Sequence, residues 1–98
     1  MITFKELLER VKTEEITIHT PTEEQAKTLL KALDERGYKW LRGEKLTTET
    51  WSEYDEEDTC YNFELDKKIM YGPLDWYQEN NYTIIEFSEI DFKEEQYG

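Results

Sequence analysis

The side chains that could act as nucleophile or base are few in this sequence. The chain has one histidine, His19, one cysteine, Cys60, and two serines, Ser52 and Ser88. Nucleophilic catalysis needs a base held beside the nucleophile, and no motif places any two of these residues together. We therefore predict no catalytic residues and no enzymatic activity. His19 is expected to be a hydrogen-bonded structural or surface residue, and Cys60 a small buried side chain.

Metal and phosphate binding also lack a recognisable pattern. The acidic run 53–58 invites a calcium interpretation. A calcium loop of the EF-hand type, however, needs alternating ligands, glycine at its sixth position and a bidentate acid at its twelfth. A single cysteine excludes a multi-cysteine metal site and an internal disulfide, and the glycines are too far apart for a phosphate-binding loop. We predict neither a metal nor a cofactor.

Rows of carboxylates are the first pattern that could carry a function. Spaced carboxylates can imitate the phosphates of a nucleic acid and occupy the basic groove of a DNA- or RNA-binding enzyme. A solvated charged loop is the competing interpretation. One row near the C-terminal end comprises Glu86, Glu89, Asp91, Glu94 and Glu95. The residues predicted to bind a partner come from the acidic stretch and a short helix: Trp51, Glu53, Tyr54, Asp55, Glu56, Glu57, Asp58, Asp75 and Glu79.

Aromatic crowding is the second pattern. The chain has 3 Trp, 7 Tyr and 4 Phe residues, too many to be central in so small a core. Some are expected to line a groove or an interface, although half-buried sheet positions explain them equally well. The residues predicted to stack on a small ligand are Trp40, Trp51 and Trp76. A phosphate on that ligand would be met by Lys39, Arg42, Lys45 or backbone N–H groups.

The bulk properties bound the fold and the partners. Ninety-eight residues, 37% of them hydrophobic, make one domain with a modest core. A net charge of -12 repels nucleic acids and anionic membranes, so the natural partner is a protein with a basic surface. Acidity that only keeps the domain in solution is the alternative. The lone cysteine fits a reducing cytoplasm, and no apolar run reaches the length of a signal peptide core or a membrane span.

Residues 20–37 predict the main helix that would position these side chains. Thr20 is suited to cap it, Pro21 to open it, and Glu23 to complete a T-x-x-E capping box. Gly37 ends it. An apolar stripe at helical spacing comprises Ala26, Leu29, Leu30 and Leu33.

Shorter patterns predict the remaining elements. A second T-x-x-E box at Thr3 opens a short N-terminal helix within residues 1–13, which should dock on the domain. A short helix near 73–80 is followed by Asn81 in a left-handed position. The strands are expected at 15–19, at 38–46 with a bulge or tight turn at Gly43, in a hairpin of 59–65 with 69–71, and at 82–87 with a possible extension over 88–92.

The order of these elements predicts a single α+β domain over residues 1–98. We expect a four- to five-stranded, mostly antiparallel sheet, covered on one side mainly by helix 20–37. If strands 16–19 and 38–42 are parallel neighbours, the helix between them makes a right-handed crossover, but another strand could separate them. The polar end, 93–98, is expected to be a flexible tail.

Four segments resemble small proteins carried by phages and prophages of Gram-positive bacteria, most without an assigned function. They are ITIHTPTEEQAKTLLKALDERGYKW, DTCYNFE, KIMYG and DWYQENNYTIIEFSEI. The resemblance covers about residues 15–91, without a counterpart for loop 47–58, and brings no catalytic residues. Small acidic phage proteins are often inhibitors of host defence, such as anti-CRISPR or anti-restriction proteins. The resemblance therefore implies an anti-defence function.

Three functions fit these patterns. The leading hypothesis is a non-enzymatic, phage-type inhibitor, a DNA mimic that binds a nucleic-acid-handling defence effector in the host cytoplasm. It would contact neither nucleic acid nor membrane directly. The first alternative is a protein that binds or sequesters a small ligand such as a nucleotide signal. The second is a homo-oligomeric phage protein with a structural or regulatory role; for the inhibitor we expect a monomer or homodimer.

Overall fold

Ten helices and strands follow one another along the part of the chain that the structure describes. It is a computed structural model that describes residues 1–47, 51 and 55–92. The predicted tail 93–98 lies outside these residues. The helices are α1 (Phe4–Arg10), α2 (Glu23–Glu35) and α3 (Leu74–Glu79). The strands are β1 (Ile2–Thr3), β2 (Ile16–His19), β3 (Lys39–Trp40), β4 (Thr59–Glu64), β5 (Lys68–Pro73), β6 (Thr83–Glu86) and β7 (Ile90–Asp91). Together they form a single α+β domain.

Five strands form a mixed sheet in the order β3-β5-β4-β2-β6. Strand β4 is antiparallel to its neighbours β2 and β5, whereas the outer pairs β2–β6 and β3–β5 are parallel. The sheet is therefore not mostly antiparallel as predicted. The hairpin β4–β5 has a short turn that the sequence reveals, but parallel partners are joined by long connections that leave no local signal.

Strands β2 and β3 are not neighbours, because β4 and β5 lie between them. The second predicted strand also ends early. The backbone N–H of Gly43, at φ +89°, donates to the Trp40 carbonyl at 2.8 Å, which makes a tight turn rather than a bulge. Positive φ is accessible to glycine without the steric cost that a side chain adds.

The end of the chain forms a second, two-stranded sheet. Residues 88–92 were predicted to extend the last strand, but a 3-10 turn over Phe87–Glu89 interrupts it. Strand β7 then pairs in parallel with β1, with Ile2 opposite Ile90. The Glu89 carboxylate accepts the backbone N–H of Glu86 at 3.2 Å, which caps an outward-facing donor of edge strand β6.

Helix α2 begins two residues later than the capping box predicts. The Thr22 hydroxyl accepts the Gln25 N–H at 3.2 Å and is the N-cap. Thr20 is instead fully buried, and its N–H and hydroxyl both donate to the Thr59 carbonyl, at 3.0 and 3.2 Å. The predicted end is confirmed, since Gly37 follows the helix at φ +86°.

The apolar core lies on one face of the sheet. Helices α1 and α2 both bury side chains in it, so a sheet covered by one main helix is not confirmed. The core includes Phe4, Leu7, Ile16, Ile18, Ala26, Leu29, Leu30, Leu33, Tyr61, Ile69 and Ile85. No helix within the described ranges is long and apolar enough to cross a membrane.

The opposite face of the sheet carries a polar layer beneath α3. The Tyr77 hydroxyl donates to Asn62 Oδ1 at 2.5 Å, and the Asn62 amide donates to Glu64 Oε2 at 2.8 Å. Gly72 leaves room for the tyrosine, because a Cβ there would lie 3.3 Å from the Tyr77 ring. Asn81 follows α3 at φ +61°, the left-handed position predicted for it.

Candidate functional site

His19 and Cys60, the first catalytic candidates, face each other across β2 and β4. Sequence reasoning missed this pairing because the strands are far apart in the chain. The pair cannot activate a nucleophile, since Cys60 is fully buried and burial raises the pKa of its thiol to about 12. Ser88 lies in the turn after β6, and Ser52 lies outside the described residues.

His19 is instead held at both ring nitrogens. Nδ1 lies 2.8 Å from Glu86 Oε1 and 3.0 Å from Oε2, and Nε2 lies 2.7 Å from the Glu57 carbonyl oxygen. The imidazole side chain is 13% exposed. The expectation of a hydrogen-bonded structural histidine is confirmed. Its partners could not be inferred from the sequence, because they stand 67 and 38 positions away.

The acidic turn, residues 55–58, is bonded to the sheet through Glu57, and residues that flank the turn are bonded to the sheet as well. Besides the bond from His19 to Glu57, the backbone N–H of Thr20 donates to the Thr59 carbonyl at the end of the turn. Trp51 donates its indole N–H to the Thr20 carbonyl at 2.9 Å. The turn is therefore an ordered part of the domain, although the sequence predicted a long loop. The predicted residues Glu53 and Tyr54 lie outside the described residues.

The acidic turn lies close to α3. Partial burial, then the negative charges of Asp58 and Asp75, raise the pKa of Asp55 above its ordinary value. Two groups of acids predicted separately thus share one electrostatic environment. Glu79 follows Asp75 by one helical turn on α3, so both project from the same side of the helix.

Trp76 adds an exposed aromatic ring to this region. The residue is 49% exposed, and its ring centroid lies 5.1 Å from that of Tyr77 and 5.9 Å from that of Tyr82. We call the acidic turn together with Asp75, Trp76 and Glu79 the acidic face. Within the described part of the chain, no Lys, Arg or His lies within ion-pair distance of these carboxylates.

The three tryptophans predicted to stack on a ligand do not form a common site. Trp40 is 9% exposed and packs against Tyr61 and Tyr71, and Trp51 is half-buried. No ring contact joins any two of these indoles among the described residues. Of the three, Trp76 alone offers much of its ring to solvent.

A separate open groove of about 800 Å³ runs beside Trp40. Arg42 and Lys45, two of the cations predicted to meet a phosphate, line it together with Leu41, Glu44 and Met70. Lys39 is directed elsewhere, with Nζ 4.0 Å from Asp34. The groove combines two cationic side chains and one carboxylate with apolar ones.

Neither a metal site nor a known relative supplies a function. Across residues 1–47, 51 and 55–92, no three His, Cys, Asp or Glu side chains are grouped so that they could hold a metal ion. The acidic face and the groove beside Trp40 are therefore the two surfaces from which a function can be argued. No family model matches the chain, and comparison with curated proteins and with solved structures found no match.

Proposed function

We propose that this chain is a non-enzymatic binding protein whose acidic face engages a basic surface of another protein. The observation that carries the proposal is that Asp55 lies near Asp58 and Asp75, so that partial burial and then these two negative charges raise its pKa. Like charges held together cost free energy in the unbound protein. A cationic partner relieves that cost, so the arrangement favours binding.

The partner we propose is a nucleic-acid-handling protein of the host cell. Its basic groove normally receives phosphates, and spaced carboxylates compete for the same cations. The net charge of -12 agrees with this choice. The resemblance to phage proteins adds the inhibitor role, of anti-CRISPR or anti-restriction type, exercised in the host cytoplasm by a monomer or homodimer.

Trp76 gives the acidic face an anchor that charge alone lacks. An exposed indole beside carboxylates can stack on an arginine or lysine of the partner through a cation–π contact. Tryptophan is also among the residues that most often dominate binding free energies. The ring contacts with Tyr77 and Tyr82 limit its freedom, which lowers the entropic cost of binding.

Neutralising the acidic turn should weaken binding to a Lys- and Arg-rich peptide by about tenfold or more, because its charge-assisted contacts are lost. The variant carries Asp55→Asn, Glu56→Gln, Glu57→Gln and Asp58→Asn. Calorimetry gives the affinity at low salt. A matched control removes the same charge from exposed acids elsewhere, through Glu6→Gln, Glu24→Gln, Glu35→Gln and Asp66→Asn. Equal affinities for the two variants would remove the acidic turn from the proposal.

A second function, binding of a small anionic ligand such as a nucleotide, is favoured by the groove beside Trp40. Arg42 and Lys45 line it, and their side chains could meet a phosphate. Tryptophan fluorescence should then change when a nucleotide from a panel binds. The double substitution Arg42→Ala with Lys45→Ala should weaken the nucleotide affinity about tenfold or more. Lys27→Ala with Lys31→Ala on α2 is the control. A flat response in the unmodified protein would contradict this function.

A further inference from the structure

Both ring nitrogens of His19 face oxygen atoms. Nε2 faces the Glu57 carbonyl oxygen, which can only accept a hydrogen bond, so Nε2 must donate. Nδ1 faces both oxygens of the Glu86 carboxylate, which, when ionised, also only accepts. Both bonds form together when the ring carries two protons and a positive charge.

The two bonds differ in strength. The bond to Glu86 joins a cation to a carboxylate, whereas the bond to Glu57 ends on a neutral carbonyl. When the ring loses one proton, the remaining proton stays where it is bound more strongly, at Nδ1. Nε2 then presents a lone pair to the carbonyl oxygen of Glu57, and that contact becomes repulsive.

We propose that doubly protonated His19 clasps the acidic turn to the sheet and that loss of one proton releases the turn. The clasp stands on its geometry alone. Its consequence for binding rests on the proposed function: release should disorganise the acidic face and weaken its affinity for a basic partner. Histidine is the side chain whose ordinary charge change falls between about pH 5 and 8.

Titratable groups face His19 from both neighbouring strands and from the acidic turn. Glu86 faces it from β6 and the thiol of Cys60 from β4. The acidic turn contributes Glu57, and its Asp55 and Asp58 act electrostatically on Cys60, as Glu86 does. No lysine or arginine in the described ranges lies within ion-pair distance of Glu86.

The direction of the binding effect separates the clasp from a simple change of charge. A neutral His19 makes the surface more negative, which by itself would strengthen attraction to a basic peptide. Release of the turn acts in the opposite direction. A Lys- and Arg-rich peptide keeps its charge throughout this range, since lysine titrates near pH 10.

Two substitutions test the clasp. In Glu86→Gln the amide can donate to Nδ1, so a neutral ring keeps its proton at Nε2 and still holds Glu57. This variant should therefore stay clasped at every pH. In His19→Gln the imidazole is absent, so the amide signals of the turn should not change with pH as they do in the unmodified protein.

The measurement is NMR across about pH 5 to 8. Nitrogen-edited spectra count the protons on the ring, and the backbone amides of Glu57, Asp58 and Thr59 report the turn. In the unmodified protein these amide signals should shift over the same pH range in which the His19 ring loses its proton. At the alkaline end their exchange with solvent should be roughly 2- to 10-fold faster than in Glu86→Gln at the same pH. Core amides such as Ile18 should be unaffected.

The outcomes separate the two proposals. A ring with a single proton at the acid end, or turn amides that ignore its titration, would overturn the clasp. Peptide affinity that falls roughly 2- to 10-fold with rising pH in the unmodified protein, but does not fall in Glu86→Gln, would support both proposals. A turn that responds in a protein that never binds the peptide would support the clasp and contradict the proposed function.

Discussion

Two buried tyrosines, Tyr61 on β4 and Tyr77 on α3, show how hydrogen bonding decides whether a buried hydroxyl stabilises the fold. Tyr77 is 2% exposed and donates to Asn62, whereas the fully buried hydroxyl of Tyr61 has no partner among the described residues. Burial raises the pKa of both phenols, so both stay neutral at ordinary pH. The two tyrosines therefore form a matched pair.

Tyr77→Phe should lower the free energy of unfolding by about 1 to 3 kcal/mol, because it leaves Asn62 Oδ1 buried without its donor. Tyr61→Phe should leave stability unchanged or raise it, since it removes an unsatisfied polar group. Urea unfolding of both variants gives the comparison. A larger loss in Tyr61→Phe than in Tyr77→Phe would show that this account of the polar layer is wrong.

Residue types alone predicted part of the site. A lone cysteine on a strand predicted an inert buried thiol, and a lone histidine on an alternating strand predicted a structural role; both predictions are confirmed. The partners of His19 are Glu57 in the acidic turn and Glu86 in β6. Such long-range contacts depend on the sheet order, which residue types do not encode.

Among the elements, local signals correctly predicted the cap of the first helix and the hairpin. The Thr3 hydroxyl accepts the Glu6 N–H at 3.0 Å as the capping box predicts, and the hairpin β4–β5 forms with positive φ at Asp66 and Lys67. The start of α2 was wrong because two threonines compete there. Burial against β4 engages Thr20, so the cap passes to Thr22.

Thr22→Ala should therefore lower the free energy of unfolding by about 1 kcal/mol, through loss of the bond to Gln25. Thr22→Ser keeps a hydroxyl at the cap and should retain most of that stability. Thermal unfolding followed by circular dichroism measures both. If Thr22→Ala is neutral, the helix does not depend on this cap.

The pairing of the elements was the least predictable part of the fold. Strands β2 and β6 are parallel partners that lie at opposite ends of the chain, and β3 reaches β5 across the long acidic segment. The same applies to β1 and β7. Their hydrophobic patterns identify them as strands but carry no information about which strand each one meets.

At the scale of the whole molecule, the fold brings acidic residues from separate parts of the chain together. The excess of acidic residues could be read from the sequence, but the convergence of the acidic turn with α3 depends on how β4 and α3 lie in space. The domain holds that turn through His19 and through the strand it precedes. An acidic surface that is held in place in this way can bind a basic groove with less loss of conformational entropy than a flexible acidic tail.

The most direct test of this account is affinity capture from host-cell lysate at low and high salt, with mass spectrometry of the retained proteins. Three baits are compared: the unmodified protein, the neutralised acidic turn and the matched control with four acids replaced elsewhere. We predict that the unmodified protein and the control retain the same nucleic-acid-binding protein, that high salt releases it, and that the turn variant does not retain it. Retention of that protein by all three baits, or by none, would contradict the claim that the acidic face is the binding surface.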